Sequence, residues 1–300
     1  MAKEKQSSNG RLPVAKTYKL FIGGAFPRTE SGRTYSLTAG NKPIANMCLA
    51  SRKDVRNAIV AARAAQPRWA GRSAYNRCQI LYRIGEILEG RRDQFIGELK
   101  TMGLKAAEAS AEVDMSIDRL VYFAGWCDKY QQIFSSVNPV ASSHFNFSVL
   151  EPMGVVFIVA NEQSPLLGLV SLMAPVIASG NTCVVLASNQ RPMSSVTLAE
   201  VMSTSDVPGG VVNILTGSLD ELVEHFSMHL DLNAIAFDRD EPEAFDQVQK
   251  AATGNLKRVR KYSIDWTSDE GESPWLIEDF CETKTTWHPI EKITESGSGY

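Results

Sequence analysis

The sequence predicts an α/β fold, a doubly wound parallel sheet with a small β arm, and three observations lead there. From Val155 onward, short apolar runs alternate with helical stretches, the signature of parallel strands joined by crossover helices. Upstream, apolar residues recur at helical spacing in Val55, Ile59, Val60 and Ala62, and again in Ile80, Leu81, Ile84, Ile87 and Leu88. Between these regions His144 to Leu150, HFNFSVL, alternates like a half-buried strand.

In chain order, MAKEKQSSNGRLP is polar, carries no apolar core segment, and reads as a mobile tail over 1–17 rather than a secretory signal. Leu20 to Phe26 and the segment near Tyr35 read as short strands joined by a turn at Glu30, Ser31 and Gly32. Two helices follow, and Asp54 is placed to cap the first. After the arm strand come a buried strand at Val155 to Val159, a helix at Pro165 to Ile177, a strand at Thr182 to Leu186, a helix at Met193 to Met202 and a strand at Val211 to Leu215. Helices at Asp220 to His229 and Glu243 to Ala252 flank a strand at Asn233 to Phe237. The basic run Lys257, Arg258, Arg260 and Lys261 reads as a solvated strand edge, since charged side chains blunt exposed edges.

Composition narrows the class. Hydrophobic residues at 44% and charged residues at 22% of 300 allow a substantial core, and a net charge of -3 gives no basic face for nucleic acid or anionic membrane. The longest apolar stretch, Leu166 to Ala178, is too short to span a bilayer. Five cysteines, at 48, 78, 127, 183 and 281, lack paired spacing and fit reduced thiols in a cytoplasmic protein. Cys281 reads as a structural thiol, and His225 and His229, four apart on a helix without a third ligand, read as a surface pair rather than a metal site. Gly209, Gly210 and Gly217 read as turn glycines.

The run EPMGVVFIVANEQSPLLGLVSLMAPVIASGNTCVVLASNQRP followed by VPGGVVNILTG, Glu151 to Gly217, resembles the cofactor-binding core of the aldehyde dehydrogenase superfamily. The resemblance extends upstream through LFIGG, DVRNAIVAARAAQPRWAG, RCQILYRIGEILEGRRDQF and YFAGWCDKY, and covers nearly everything from Tyr18 to Lys261. It implies a Rossmann-like parallel sheet over 152–265, N-terminal strands and helices over 18–143 packed on that core, and an oligomerisation arm strand over 144–151. FCETKTTW resembles the family's carboxyl-terminal strand, here 280–288, with a second mobile tail at 289–300.

The family's chemistry needs a cysteine nucleophile, an asparagine at the oxyanion, a glutamate base and NAD(P), and each of these positions departs from the pattern. Gln163 stands at the asparagine, a longer amide that has to sit elsewhere. Leu186, Ala187, Ser188 and Asn189 replace the lysine–proline–alanine–glutamate run that contacts the adenosine ribose. Phe237 is followed by Asp238, Arg239, Asp240 and Glu241 where a glycine turn admits the pyrophosphate, and those carboxylates repel a diphosphate. Tyr262 stands at the glutamate, and the segment carrying the cysteine is missing between Lys261 and Phe280.

The resemblance therefore implies a pseudoenzyme with vestigial positions at Gln163, Tyr262, Leu186, Ser188, Asn189, Phe237 and Asp238, no metal, and no cofactor beyond weak NAD(P) binding. It is similar to the cysteine-less second half of family 16 aldehyde dehydrogenases. Its expected partner is a full-length aldehyde dehydrogenase or itself, through strands 144–150 and 280–287, with no nucleic acid and no membrane. The alternative is an NAD(P)-dependent aldehyde oxidoreductase component, holding cofactor through Ser188, Asn189 and Gln163, whose nucleophile a partner supplies.

Overall fold

A computed structural model of the chain describes residues 14–40 and 42–290. Most of both expected tails therefore lies outside the described residues.

The chain opens with β1 (Thr17–Tyr18), β2 (Thr34–Ala39) and β3 (Lys42–Cys48), a small sheet in the order β1-β3-β2. Leu20 to Phe26, expected as a strand, is instead a tight turn. Gly23 and Gly24 take φ of 62° and 84°, which ends an extended run. A Cβ on Gly24 would lie 2.9 Å from Gly209 Cα, so only glycine permits this approach of two backbones. Phe21 instead exchanges both backbone hydrogen bonds with Ile214.

Five helices follow: α1 (Arg52–Ala70), α2 (Ala74–Gly90), α3 (Arg92–Thr101), α4 (Ala106–Trp126) and α5 (Tyr130–Phe134). Ser51, not Asp54, is the N-cap of α1. Asp54 sits in the first turn, where its carboxylate accepts from Ser51 N at 2.7 Å, Ser51 Oγ at 2.7 Å, Thr29 Oγ1 at 2.6 Å and Glu30 N at 3.1 Å. One buried carboxylate thus satisfies the helix start and fastens the preceding loop to it.

The arm comprises β4 (Ser136–Asn138) and β5 (His144–Pro152), and the chain then enters β6 (Val155–Val159), α6 (Leu167–Ala178), β7 (Thr182–Leu186), α7 (Met193–Ser203) and β8 (Val212–Leu215). It returns through α8 (Leu219–Ser227) to β9 (Ala234–Phe237), α9 (Pro242–Ala252) and β10 (Arg258–Lys261), and closes with α10 (Trp275–Glu278) and β11 (Cys281–Pro289). The central sheet is wholly parallel, in the order β10-β9-β6-β7-β8. The basic run at β10 does form an edge, pairing only with β9.

Alternation along each central strand divides the core. Val156 and Ile158 join Cys183, Val185, Ala234 and Ala236 in one layer with α2, α4 and α6. Phe157 and Val159 join Val184, Ile235 and Phe237 in the other, with α1 and α8. Phe157 stacks on Phe226 of α8, ring centroids 4.1 Å apart, and burying a side chain of that size is worth about 1.5–3 kcal/mol. Helix α6 is buried on every face, which explains why its sequence shows a continuous apolar run. Among the described residues no helix is long and apolar enough to cross a membrane.

The two arm strands pair with each other: β11 runs antiparallel to β5 over nine residues, from Cys281↔Pro152 to Pro289↔His144, and β4 covers the other edge of β5. Asn181 joins this arm to the core. Its Oδ1 accepts from Gly154 N at 2.7 Å, and its Nδ2 donates to Phe280 O at 2.8 Å and to Ser179 Oγ at 2.8 Å, all fully buried. Asn181→Ala leaves a buried N–H and a buried carbonyl unpaired and should lower unfolding free energy by about 3 kcal/mol in urea titrations.

Candidate functional site

In a doubly wound sheet, ligands enter at the carboxyl ends of the strands where the chain reverses direction. Here that point lies between β6 and β9, because β7 and β8 extend from one side of β6 whereas β9 and β10 lie on the other. The crevice is bounded by Ala160 to Gln163 after β6, Ala187 to Gln190 after β7 and Asp238 to Glu241 after β9.

The Arg239 side chain fills it. Its Nε donates to Ala160 O at 2.9 Å and its Nη2 to Ala187 O at 2.8 Å, so a residue following β9 reaches past β6 to β7. Its Nη2 also lies 3.1 Å from Glu162 Oε1, and only 5% of Arg239 is exposed. Burial lowers the guanidinium pKa, and the charges of Glu162 and then Glu241 oppose that.

Glu162 completes the closure. Its carboxylate accepts from Ser188 Oγ, from Asn189 N at 2.9 Å and from Gln190 N at 3.2 Å. The Arg191 guanidinium bonds the carbonyls of Glu162 and Gln163, both at 3.3 Å. The amides of the turn leading to α7 thus already hold an anion supplied by the chain.

The same holds at the start of α6. Leu166 N and Leu167 N, at the head of α6, donate to Glu112 Oε1 of α4 at 2.9 and 3.2 Å. Burial raises the Glu112 pKa, and those two backbone donors oppose the rise. Helix α8 carries Asp220 and Glu221 in its first turn, and α9 carries Glu243 after Pro242. Each places negative charge where the helix dipole is positive.

A lid lies over the crevice. The Trp266 indole, 1% exposed, donates to Asp238 Oδ2 at 2.7 Å. A Cβ on Gly168, in the first turn of α6, would come within 3.1 Å of the Trp266 ring and 2.9 Å of Asn161 Cβ, so glycine admits the ring. Arg119 of α4, 1% exposed, donates to Trp266 O at 3.0 Å, and Gly271 leaves room for its guanidinium. Tyr262 donates its hydroxyl to Asp279 at 2.8 Å, and Arg260 pairs with the same carboxylate at 3.2 Å. The segment between Lys261 and Phe280, where the resemblance places the missing nucleophile, is thereby folded over the strand ends and fastened at both sides.

Of the positions expected to be vestigial, Ser188, Asn189 and Asp238 come together at the crevice, Ser188 and Asp238 buried and Asn189 exposed. Leu186 and Phe237 turn away into the layer with α1 and α8. Gln163 is exposed, its N–H bound to Asn161 Oδ1 at 2.6 Å, so Asn161 is the amide side chain that faces inward near Asp238. The sequence placed Asp238, Asp240 and Glu241 together facing a diphosphate. Asp238 instead points under Trp266, and the Asp240 side chain is 98% exposed. Glu162, Glu112 and Trp266 carried no motif. The one available signal was a lone acid directly after a fully apolar strand, with Arg239 as a cation in an otherwise acidic turn.

These residues do not fit a dinucleotide. The amides at the head of α6 and in the turn after β7 are bound to carboxylates, the space beside Ala160 is taken by a guanidinium, and α9 opens on Glu241 and Glu243. Cys281 is not poised for attack: it is buried, donates to Ile277 O at 3.3 Å, and burial pushes its pKa up to about 12, whereas a nucleophile needs the thiolate. Among the described residues no group of three metal-ligating side chains occurs.

Comparison with known proteins bears on the family and the fold. Residues 30–264 match the model of the aldehyde dehydrogenase family. The cytosolic 10-formyltetrahydrofolate dehydrogenase of Xenopus tropicalis is 31% identical over 291 residues, covering 93% of this chain and 31% of that protein. A putative aldehyde dehydrogenase, DhaS, of Bacillus subtilis is 30% identical over 250 residues, 81% of this chain and 50% of that one. A crystal structure of a putative aldehyde dehydrogenase from Burkholderia cenocepacia superposes with a TM-score of 0.77 at 29% identity, over 81% of this chain and 50% of that chain. The NAD+ complex of a Bacillus cereus aldehyde dehydrogenase shares the fold at a TM-score of 0.78 and 24% identity, over 82% and 50%. The chain thus spans 31% to 50% of the length of these relatives.

Asp238 gives a pH test. Burial is the largest influence on it and raises its pKa from 3.8 to about 7, against hydrogen bonds from Trp266 and Asn161 and the charge of Arg239. Between those values the folded chain keeps a proton that the unfolded chain has released, so this group costs stability as pH rises from about 4 to about 7. Asp238→Asn keeps an acceptor for Trp266 and removes that cost. It should be more stable than wild type by on the order of 2 kcal/mol at pH 8, with the difference vanishing near pH 4, in paired urea titrations.

Proposed function

We propose that this chain, which belongs to the aldehyde dehydrogenase family, is a non-catalytic member that acts as a structural or regulatory partner of a full-length aldehyde dehydrogenase or of itself. The observation that carries the reading is the self-filled crevice: Arg239, Glu162 and Ser188 occupy the strand ends, and Trp266 covers them. Dinucleotide binding is weak or lost, and the cysteines stay reduced in a cytoplasmic setting.

Assembly runs through the arm. Because β5 is paired on both sides, the edge left for a partner is the outer edge of β11, with β4 offering only a three-residue edge opposite. Phe145 and Trp287 on this sheet are 46% and 56% exposed, and a long strand edge with exposed aromatics is a pairing template. Phe147→Pro, which removes a donor from the middle strand, should shift sedimentation of the assembly toward monomer. A wild-type chain that sediments as a soluble monomer, alone and mixed with full-length aldehyde dehydrogenases, contradicts the assembly role.

Calorimetry with NAD and NADP separates the two readings. The expected result is no saturable heat at millimolar cofactor, together with no aldehyde oxidation. A dissociation constant in the low micromolar range, roughly -8 kcal/mol, would instead favour an oxidoreductase component completed by a partner.

A further inference from the structure

The histidine pair on α8 belongs to neither the crevice nor the arm. His225 and His229 line a cleft of about 390 Å³ with Arg52 and Arg56 of α1, and with Glu224 and Met228. Arg52 and Arg56 are also four residues apart, so two helices bring four nitrogen-bearing side chains, spaced one turn apart on each, to one hollow. The hollow lies between the first turns of α1 and the carboxyl end of α8.

We propose that this cleft binds a small organic phosphate whose body is apolar. The charge argument comes first. The neighbouring cations Arg33 and Lys53 are neutralised by Glu221 and Glu30, but Arg52 and Arg56 form no ion pair or side-chain hydrogen bond with any described residue. Glu224, the acid in the cleft, pairs with none of these cations, and Lys257 stands behind His229 with its Nζ on Asn255. Asp231 N donates to His229 Nδ1 at 3.2 Å, which puts the proton of the neutral ring on Nε2 and leaves that nitrogen as a donor. Two guanidiniums with free N–H groups, backed by imidazole donors, match the several acceptor oxygens of a phosphate.

The apolar half rests on geometry. A second cleft, of about 540 Å³ between α8 and α9, shares Glu224 and Met228 with the first and is lined by Leu230, Ala251 and Gly254. Met228 and Leu230 are 61% and 77% exposed, so apolar surface adjoins the cationic hollow without cover from the described chain. A ligand that seats phosphate against Arg52 and Arg56 can lay a short hydrocarbon over Met228 toward Leu230. The two histidines belong to no group of three metal-ligating side chains among the described residues.

Octyl phosphate, inorganic phosphate and octanol are suitable probes, titrated while the ring signals of His225 and His229 are followed by NMR. The expected result is that octyl phosphate shifts both rings and binds at least about tenfold tighter than inorganic phosphate, while octanol shifts neither. The R52Q/R56Q double variant, altered at exposed positions, should keep its unfolding midpoint and lose about tenfold or more in octyl phosphate affinity. Rings unmoved at millimolar octyl phosphate, or unchanged affinity in the double variant, overturn the site. Equal affinity for phosphate and octyl phosphate overturns its apolar half.

Discussion

The arrangement at the strand ends depends on one buried guanidinium. Arg239 follows β9 and reaches beneath the strand ends to bind carbonyls beyond β6 and β7, so three strands of the parallel sheet converge on a single planar group. Burying a cation is costly, and satisfied donors and an opposing charge offset that cost. The two carbonyls satisfy donors and Glu162 supplies the opposing charge. Once Glu162 is drawn to Arg239, its remaining lone pairs organise the turn after β7 through Ser188, Asn189 and Gln190. The same three groups that define the crevice therefore close it.

A wider rule applies at this end of the molecule. Doubly wound folds present helix amino termini to anionic ligands, since those ends carry partial positive charge and free N–H groups. Here the chain supplies the anions: Glu112 to α6, Glu162 to the turn before α7, Asp220 and Glu221 to α8, and Glu243 to α9. Trp266 then excludes water from above, anchored through Asp238 below and Arg119 behind. The family's fold is retained, and at this end of the sheet the chain's own carboxylates meet helix amino termini.

Much of this architecture was legible in the sequence, and the limits have physical causes. The central β-α-β run was readable because fully buried strands such as Val155 to Val159 leave an uninterrupted apolar signal of strand length. The arm strands were readable from the alternation in His144 to Leu150 and from the FCETKTTW resemblance. Their pairing with each other was not, since register between strands more than a hundred residues apart is set by tertiary contacts such as those of Asn181. LFIGG looked like a strand because Leu20 and Phe21 are apolar, but two glycines in left-handed conformations turn the chain there. At the site, the departures from the family pattern were readable position by position, whereas the contacts of Glu162 and Trp266 were not, because their partners are remote in sequence.

The central claim is that a buried Arg239 and a partly buried Glu162 hold the crevice closed as a coupled pair, and a double-mutant cycle measures this most directly. Urea unfolding of wild type, Glu162→Gln, Arg239→Met and the double variant gives the coupling free energy. The account predicts that each single change costs about 3 kcal/mol or more by stranding its partner, and that the double variant recovers about 2 kcal/mol or more of the summed loss. Strictly additive losses, with a coupling of about zero, would contradict it.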